Sequence, residues 1–117
     1  MQLQTQQLTN GITKIDLAGR MDNAGVQEID LQFTALTATK KAAVVVDLSD
    51  VSFLASIGIR TLMTNARALR QRGGKMVLLN PKPLVEEVLD AAGITTVIET
   101  LDDLESAYAA LGAPESN

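Results

Sequence analysis

Apolar positions change their period several times along this chain, and each change marks an element. The stretch LQTQQLTNGITKIDLAGRM predicts two short strands around the turn Thr9-Asn10-Gly11, because Asn-Gly is a strong hairpin signal. In the second strand Ile12, Ile15 and Leu17 are apolar with only partial alternation, and GRMD then leads out of the sheet. From Ala24 to Thr39, Val26, Ile29, Phe33 and Leu36 recur at spacings of three and four, which predicts an amphipathic helix. AAVVVDL is an unbroken apolar run, as in a strand covered on both faces. Beyond the connection SDVSFLAS, the residues Ile59, Leu62, Met63, Ala66 and Leu69 mark a second helix that stops at Gly73-Gly74. KMVLLN predicts another buried strand, closed by Asn80-Pro81. PLVEEVLDAAGI predicts a third helix with Leu84, Val88 and Leu89 inward and Gly93 as its cap. TTVIE reads as a last strand, and LDDLESAYAALG as a final helix with Asp102 and Asp103 in its first turn, where the helix dipole favours acids. The closing APESN reads as a frayed tail.

A hairpin followed by alternating strands and helices predicts an α/β fold. The expected form is a mixed sheet of four to five strands with about four helices. At 117 residues the chain is one domain, with an expected core over about 3–111 and a flexible tail at 112–117. With 46% hydrophobic and only 3% aromatic residues, the core must be built from Leu, Ile, Val, Ala and Met. The net charge of -4 argues against a nucleic-acid or anionic-membrane surface. No apolar run approaches the roughly 18 residues of a membrane span, and MQLQTQQLTN has no basic region leading into an apolar stretch, so neither membrane insertion nor secretion is expected. The absence of Cys and His removes thiolate chemistry, the usual general base and the commonest metal ligands. The expected location is the cytoplasm.

Several stretches invite chemistry and fail on spacing. Gly73-Gly74 leaves a helix, whereas a phosphate cradle needs glycines leading into one. Asp47, Asp50, Asp90, Asp102, Asp103 and Glu105 match no calcium loop or fixed carboxylate pair, so no metal, cofactor or catalytic residue is assigned. The arginines from Arg60 to Arg72 are spread over too many positions to share one face. That leaves Ser56, at the start of the second helix. Read plainly, it caps that helix by accepting a hydrogen bond from a free amide. Gly58 fits that reading less well, since glycine weakens a helix interior. With Ile57 and Ile59 beside it, this helix mouth is suited to docking another protein. It is poorly suited to catalysis, because the local motif offers no base.

The motifs GRMD, VVVDLSDVSFLASIGIRTL, RQRGGKMVLLNP and VLDAAGI, in that order from about Leu3 to Leu111, resemble those of STAS domains, the family of sulfate-transporter domains and bacterial anti-sigma factor antagonists. The resemblance implies a non-enzymatic regulator of sigma-factor-dependent transcription that binds a kinase-type anti-sigma factor. It places the family's phosphorylated serine on Ser56, with a serine phosphatase reversing the modification. It also places the acidic loop near the partner on Asp22 and Asn23, and the glycine after the serine on Gly58. The implied partner surface comprises Asp22, Asn23, Ala55, Ser56, Ile57, Gly58 and Arg60. Ala55 and Ile57 stand where the family often has an aspartate and a second serine. A weak homodimer stays open, and direct nucleic-acid binding is not expected. The alternative is a STAS subunit or scaffold of a membrane transporter, in which Ser56 is only a cap.

Overall fold

The computed structural model describes residues 1–37 and 43–112. Strand β1 (Gln2–Gln7) and strand β2 (Ile12–Met21) form the N-terminal antiparallel pair. Their connection is a short 3-10 turn over Thr9–Gly11 rather than a two-residue hairpin loop. Helix α1 (Asn23–Thr37), strand β3 (Ala43–Leu54), helix α2 (Ser56–Gln71), strand β4 (Lys75–Leu79) and helix α3 (Pro83–Ala91) follow. A second 3-10 turn, strand β5 (Thr100–Leu101) and helix α4 (Leu104–Ala110) complete the chain. The predicted extension of α1 to Thr39 and the tail beyond Gly112 lie outside the described residues.

The five strands lie in the order β1-β2-β3-β4-β5, parallel from β2 onward. Each crossover helix steps to the next strand in the same direction. Right-handed crossovers therefore place α1, α2 and α3 on one face. Ile15, Leu17, Val44, Val46, Leu48, Met76 and Leu78 meet Ile29, Phe33, Leu62, Leu69, Val85 and Leu89 there. On the opposite face Ile12, Val45, Val77 and Leu79 are covered by Ala107 and Tyr108 of α4. This explains the unbroken run in β3, whose successive valines enter two different cores. Beyond α4 that second face is polar. Lys14 lies 2.7 Å from Asp16 and 3.2 Å from Asp47.

Four expectations need correction. β3 does not end with the apolar run: it continues through Asp50–Leu54, because Val51 and Leu54 bury their side chains in the same core as Val46 and Leu48. TTVIE is not a strand, since Ile94–Thr96 form a 3-10 turn and the strand begins only at Thr100. In α3 the inward pair is Val85 and Leu89, whereas Leu84 is 72% exposed. Asp103 is not in the first turn of α4 but caps it, accepting from the Ser106 amide at 2.8 Å. The stops at Gly73 and Gly93 fall where expected, both with φ in the left-handed region that glycine tolerates.

Candidate functional site

Because β2 and β3 run side by side in parallel, their C-terminal ends come out together, with Met21 opposite Leu54. The two turns that follow are tied: the Ala55 amide donates to the Met21 carbonyl at 3.1 Å. Asp22 and the first α1 residue, Asn23, lie at the β2–α1 junction, and Ala55 and the first α2 residue, Ser56, at the β3–α2 junction. Residues far apart in sequence are thereby brought to one end of the sheet.

Asp22 has a local job there. Its Oδ1 accepts from the Gly25 amide at 2.9 Å, and its carbonyl accepts from Val26 at 2.8 Å, so it caps α1. Its Oδ2 lies 3.3 Å from Nε of Arg20. The Gly25 amide, followed by Arg20, holds the Asp22 carboxyl below its ordinary range. With both oxygens engaged, this carboxylate is not poised to take a proton from a neighbour. Sequence reading missed the cap, although the spacing Asp22-x-x-Gly25 carries it. A β-carbon on Gly25 would lie only 1.9 Å from the Arg20 carbonyl oxygen, so glycine lets this turn close.

Ser56 does not cap α2. The N-cap is Ala55, in extended conformation, and it makes no side-chain capping hydrogen bond. The Ala55 carbonyl accepts from Gly58 at 2.9 Å and Ile59 at 3.2 Å. Ser56 is instead the first residue of the helix and is exposed. Arg60, one turn later, is also exposed, and Ile57 is half-buried against the main core. Gly58 is buried: a β-carbon there would fall 2.7 Å from Leu54 Cδ1 and 2.8 Å from Met21 Cγ. The close approach it permits is to this chain's own strands, and it holds the start of α2 down on Met21 and Leu54.

One contact at this end has no sequence signal. The guanidinium of Arg20 lies over the ring of Phe53, 4.2 Å from its centroid. The two are partners across β2 and β3, a register that only the folded sheet reveals. Phe53, 40% exposed, belongs to a segment expected to be a loop. The end of the molecule therefore presents an exposed hydroxyl, an engaged carboxylate and partly exposed apolar side chains. Among the described residues no cluster of three or more acidic side chains is placed to hold a metal ion.

The sequence profile of the STAS domain matches residues 4–107. BtrV of Bordetella bronchiseptica is 28% identical over 106 residues, covering 91% of both chains. An anti-sigma F factor antagonist of Lysinibacillus sphaericus is 26% identical over 95 residues, covering 80% of this chain and 81% of the relative. Among solved structures, the anti-sigma factor antagonist SpoIIAA in its unphosphorylated form superimposes with a TM-score of 0.78 at 22% identity, covering 97% of this chain and all of that one. A mixed five-stranded sheet, three helices on one face and a profile match over most of the length agree: the chain is a member of the STAS domain family.

Proposed function

We propose that this protein is an anti-sigma factor antagonist, binding a kinase-type anti-sigma factor through the end that carries Asp22, Asn23, Ala55, Ser56, Ile57 and Arg60. The observation that carries the reading is Ser56 itself, exposed at the first position of a helix whose N-cap, Ala55, makes no side-chain capping hydrogen bond. Two relatives of the chain are named anti-sigma F factor antagonists, which supports the partner class. In the proposed switch the partner transfers the γ-phosphoryl group of ATP to Ser56 Oγ. The new O–P bond forms, the bond to ADP breaks, and the hydroxyl proton leaves. A serine phosphatase hydrolyses the ester and restores the free hydroxyl.

The physics favours a switch that leaves the fold intact. Phosphate adds about -1.5 to -2 charges, beside uncapped amides at the positive end of the α2 dipole, where an anion is stabilised. A protein seated over Ser56 and Ile57 meets the same charge as an obstacle, with its hydration shell to be stripped. Each factor of ten in affinity is about 1.4 kcal/mol, so one ill-placed charge is sufficient. Gly58 acts in this reading from below, by fixing where the helix begins.

Two measurements test the proposal. The intact mass of the protein from its native cells, with peptide fragmentation, is expected to show a fraction carrying one phosphate on Ser56. Binding to a kinase-type anti-sigma factor is expected to survive Ser56→Ala and to fall at least about tenfold in Ser56→Asp, with circular dichroism unchanged. Equal binding by both variants overturns the switch.

A further inference from the structure

β3 outruns β4. The two pair only from Ala43–Lys75 to Asp47–Leu79, while β3 remains paired to β2 as far as Leu54. From Leu48 to Leu54 its other edge meets no strand among the described residues, because the chain leaves β4 at Leu79 and turns into α3. A groove of about 380 Å³ lies between that edge and α3, lined by Ser52, Phe53, Leu54, Leu84, Val88 and Glu87 among others. Its volume falls within the roughly 300–1,000 Å³ of ordinary binding clefts.

Both walls are unusual for a surface. Leu84 is 72% exposed and Phe53 40%, two of the four large apolar side chains that the described residues leave open. On α3 the pair Val85 and Leu89 enters the core, while Leu84 and Val88, also four apart, line the groove. Val88 also packs partly against the core, so Leu84 is the apolar side chain of α3 that the groove leaves open. The single charged side chain in the lining is Glu87. Lys82 stands outside the lining at the N-cap of α3, and Arg20, across the Phe53 ring, is paired with Asp22.

We propose that this groove docks an extended segment of a protein partner. The segment adds as a strand to the free edge of β3, seats an apolar side chain between Phe53 and Leu84–Val88, and sets a basic side chain against Glu87. An open strand edge facing a helix supplies backbone pairing on one wall and side-chain pockets on the other. The lone carboxylate in the apolar lining selects a basic segment over an acidic one. The inference stands on the groove alone and does not depend on modification of Ser56.

The test uses two synthetic seven-residue peptides with the same alternating valine and leucine positions, one with lysines and the other with glutamates between them. Titrated into the isotope-labelled full chain, the lysine peptide is expected to shift the amide resonances of Ser52–Leu54 and of α3, and to bind at least about tenfold tighter than the glutamate peptide. Glu87→Lys is expected to reverse that preference. Leu84→Glu, a substitution at an exposed position, is expected to abolish binding while thermal unfolding is unchanged. Equal affinity for the two peptides, shifts confined to another surface, or no shift with either peptide overturns the proposal.

Discussion

Two glycines at the same end of the molecule are held by different neighbours, and the difference sets what each tolerates. At Gly58 an added methyl meets two side chains, at Leu54 Cδ1 and Met21 Cγ, with the Met21 carbonyl at 3.1 Å. Side chains in a packed core yield a little, so Gly58→Ala is expected to cost about 1–3 kcal/mol. At Gly25 the obstacle is the Arg20 carbonyl, backbone held in β2, and the methyl would lie 1.9 Å from it. Gly25→Ala is therefore expected to be worse, costing about 3 kcal/mol or more. Urea unfolding of both variants checks the ranking, which fails if Gly58→Ala is the more damaging. Sequence alone marked Gly58 through its place in a motif and passed over Gly25, because nothing in a string of residues shows how near a carbonyl oxygen comes. The same blindness affected Ser56. Serine before an apolar helix stripe reads as a cap, and only backbone geometry shifts the cap by one residue to Ala55.

Helix against helix, the described residues include one buried polar link between α1 and α2. The Thr37 hydroxyl lies 2.7 Å from Asn65 Oδ1 and 2.8 Å from the Phe33 carbonyl, its single proton serving one at a time. Asn65 Nδ2 donates to the Thr61 carbonyl at 2.9 Å. Thr37→Val leaves Asn65 Oδ1 buried without its donor, whereas Asn65→Leu removes the donor to the Thr61 carbonyl and leaves Thr37 its bond to Phe33. Thr37→Val and Asn65→Leu are each expected to cost about 1–3 kcal/mol, and the double variant less than their sum. A double-mutant cycle measures this, and strict additivity refutes the coupling. At this scale the helices and most strands were legible because their periods are strong. What was not legible depended on neighbours. β3 reads as ending in a loop because Ser49, Asp50 and Ser52 interrupt its apolar run, yet its pairing with β2 continues through them. In α3, Leu89 and the half-buried Val88 face the core as expected, but Leu84 was read inward in place of Val85, a neighbour that only the position of the sheet distinguishes.

Across the whole molecule, charge sets a pH window for stability. Burial disfavours the charged form of Asp47, but hydrogen bonds from Ser49 and Lys14 outweigh it and lower its pKa from the ordinary 3.8. Its contribution is present above that value and is lost as the pH falls through the lowered folded value. Lys14 is the mirror case. Burial opposes its charge, Asp16 and Asp47 outweigh burial, and its pKa rises above 10.5. Its contribution is present below 10.5 and is lost as the pH rises through the raised value. Thermal unfolding followed against pH is expected to fall off on both sides. In Lys14→Met the alkaline loss should shrink and the acid loss should begin at higher pH. An unchanged profile would show that the triad carries no net pH dependence.

The strand order also bears on how the chain is made. Neighbours in the sheet are neighbours in sequence, so every strand from β2 onward docks on an edge left by the one before it. A ribosome releases the chain in an order the sheet can accept, N-terminal pair first and α4 last, and no early pairing has to be reopened to admit a later strand.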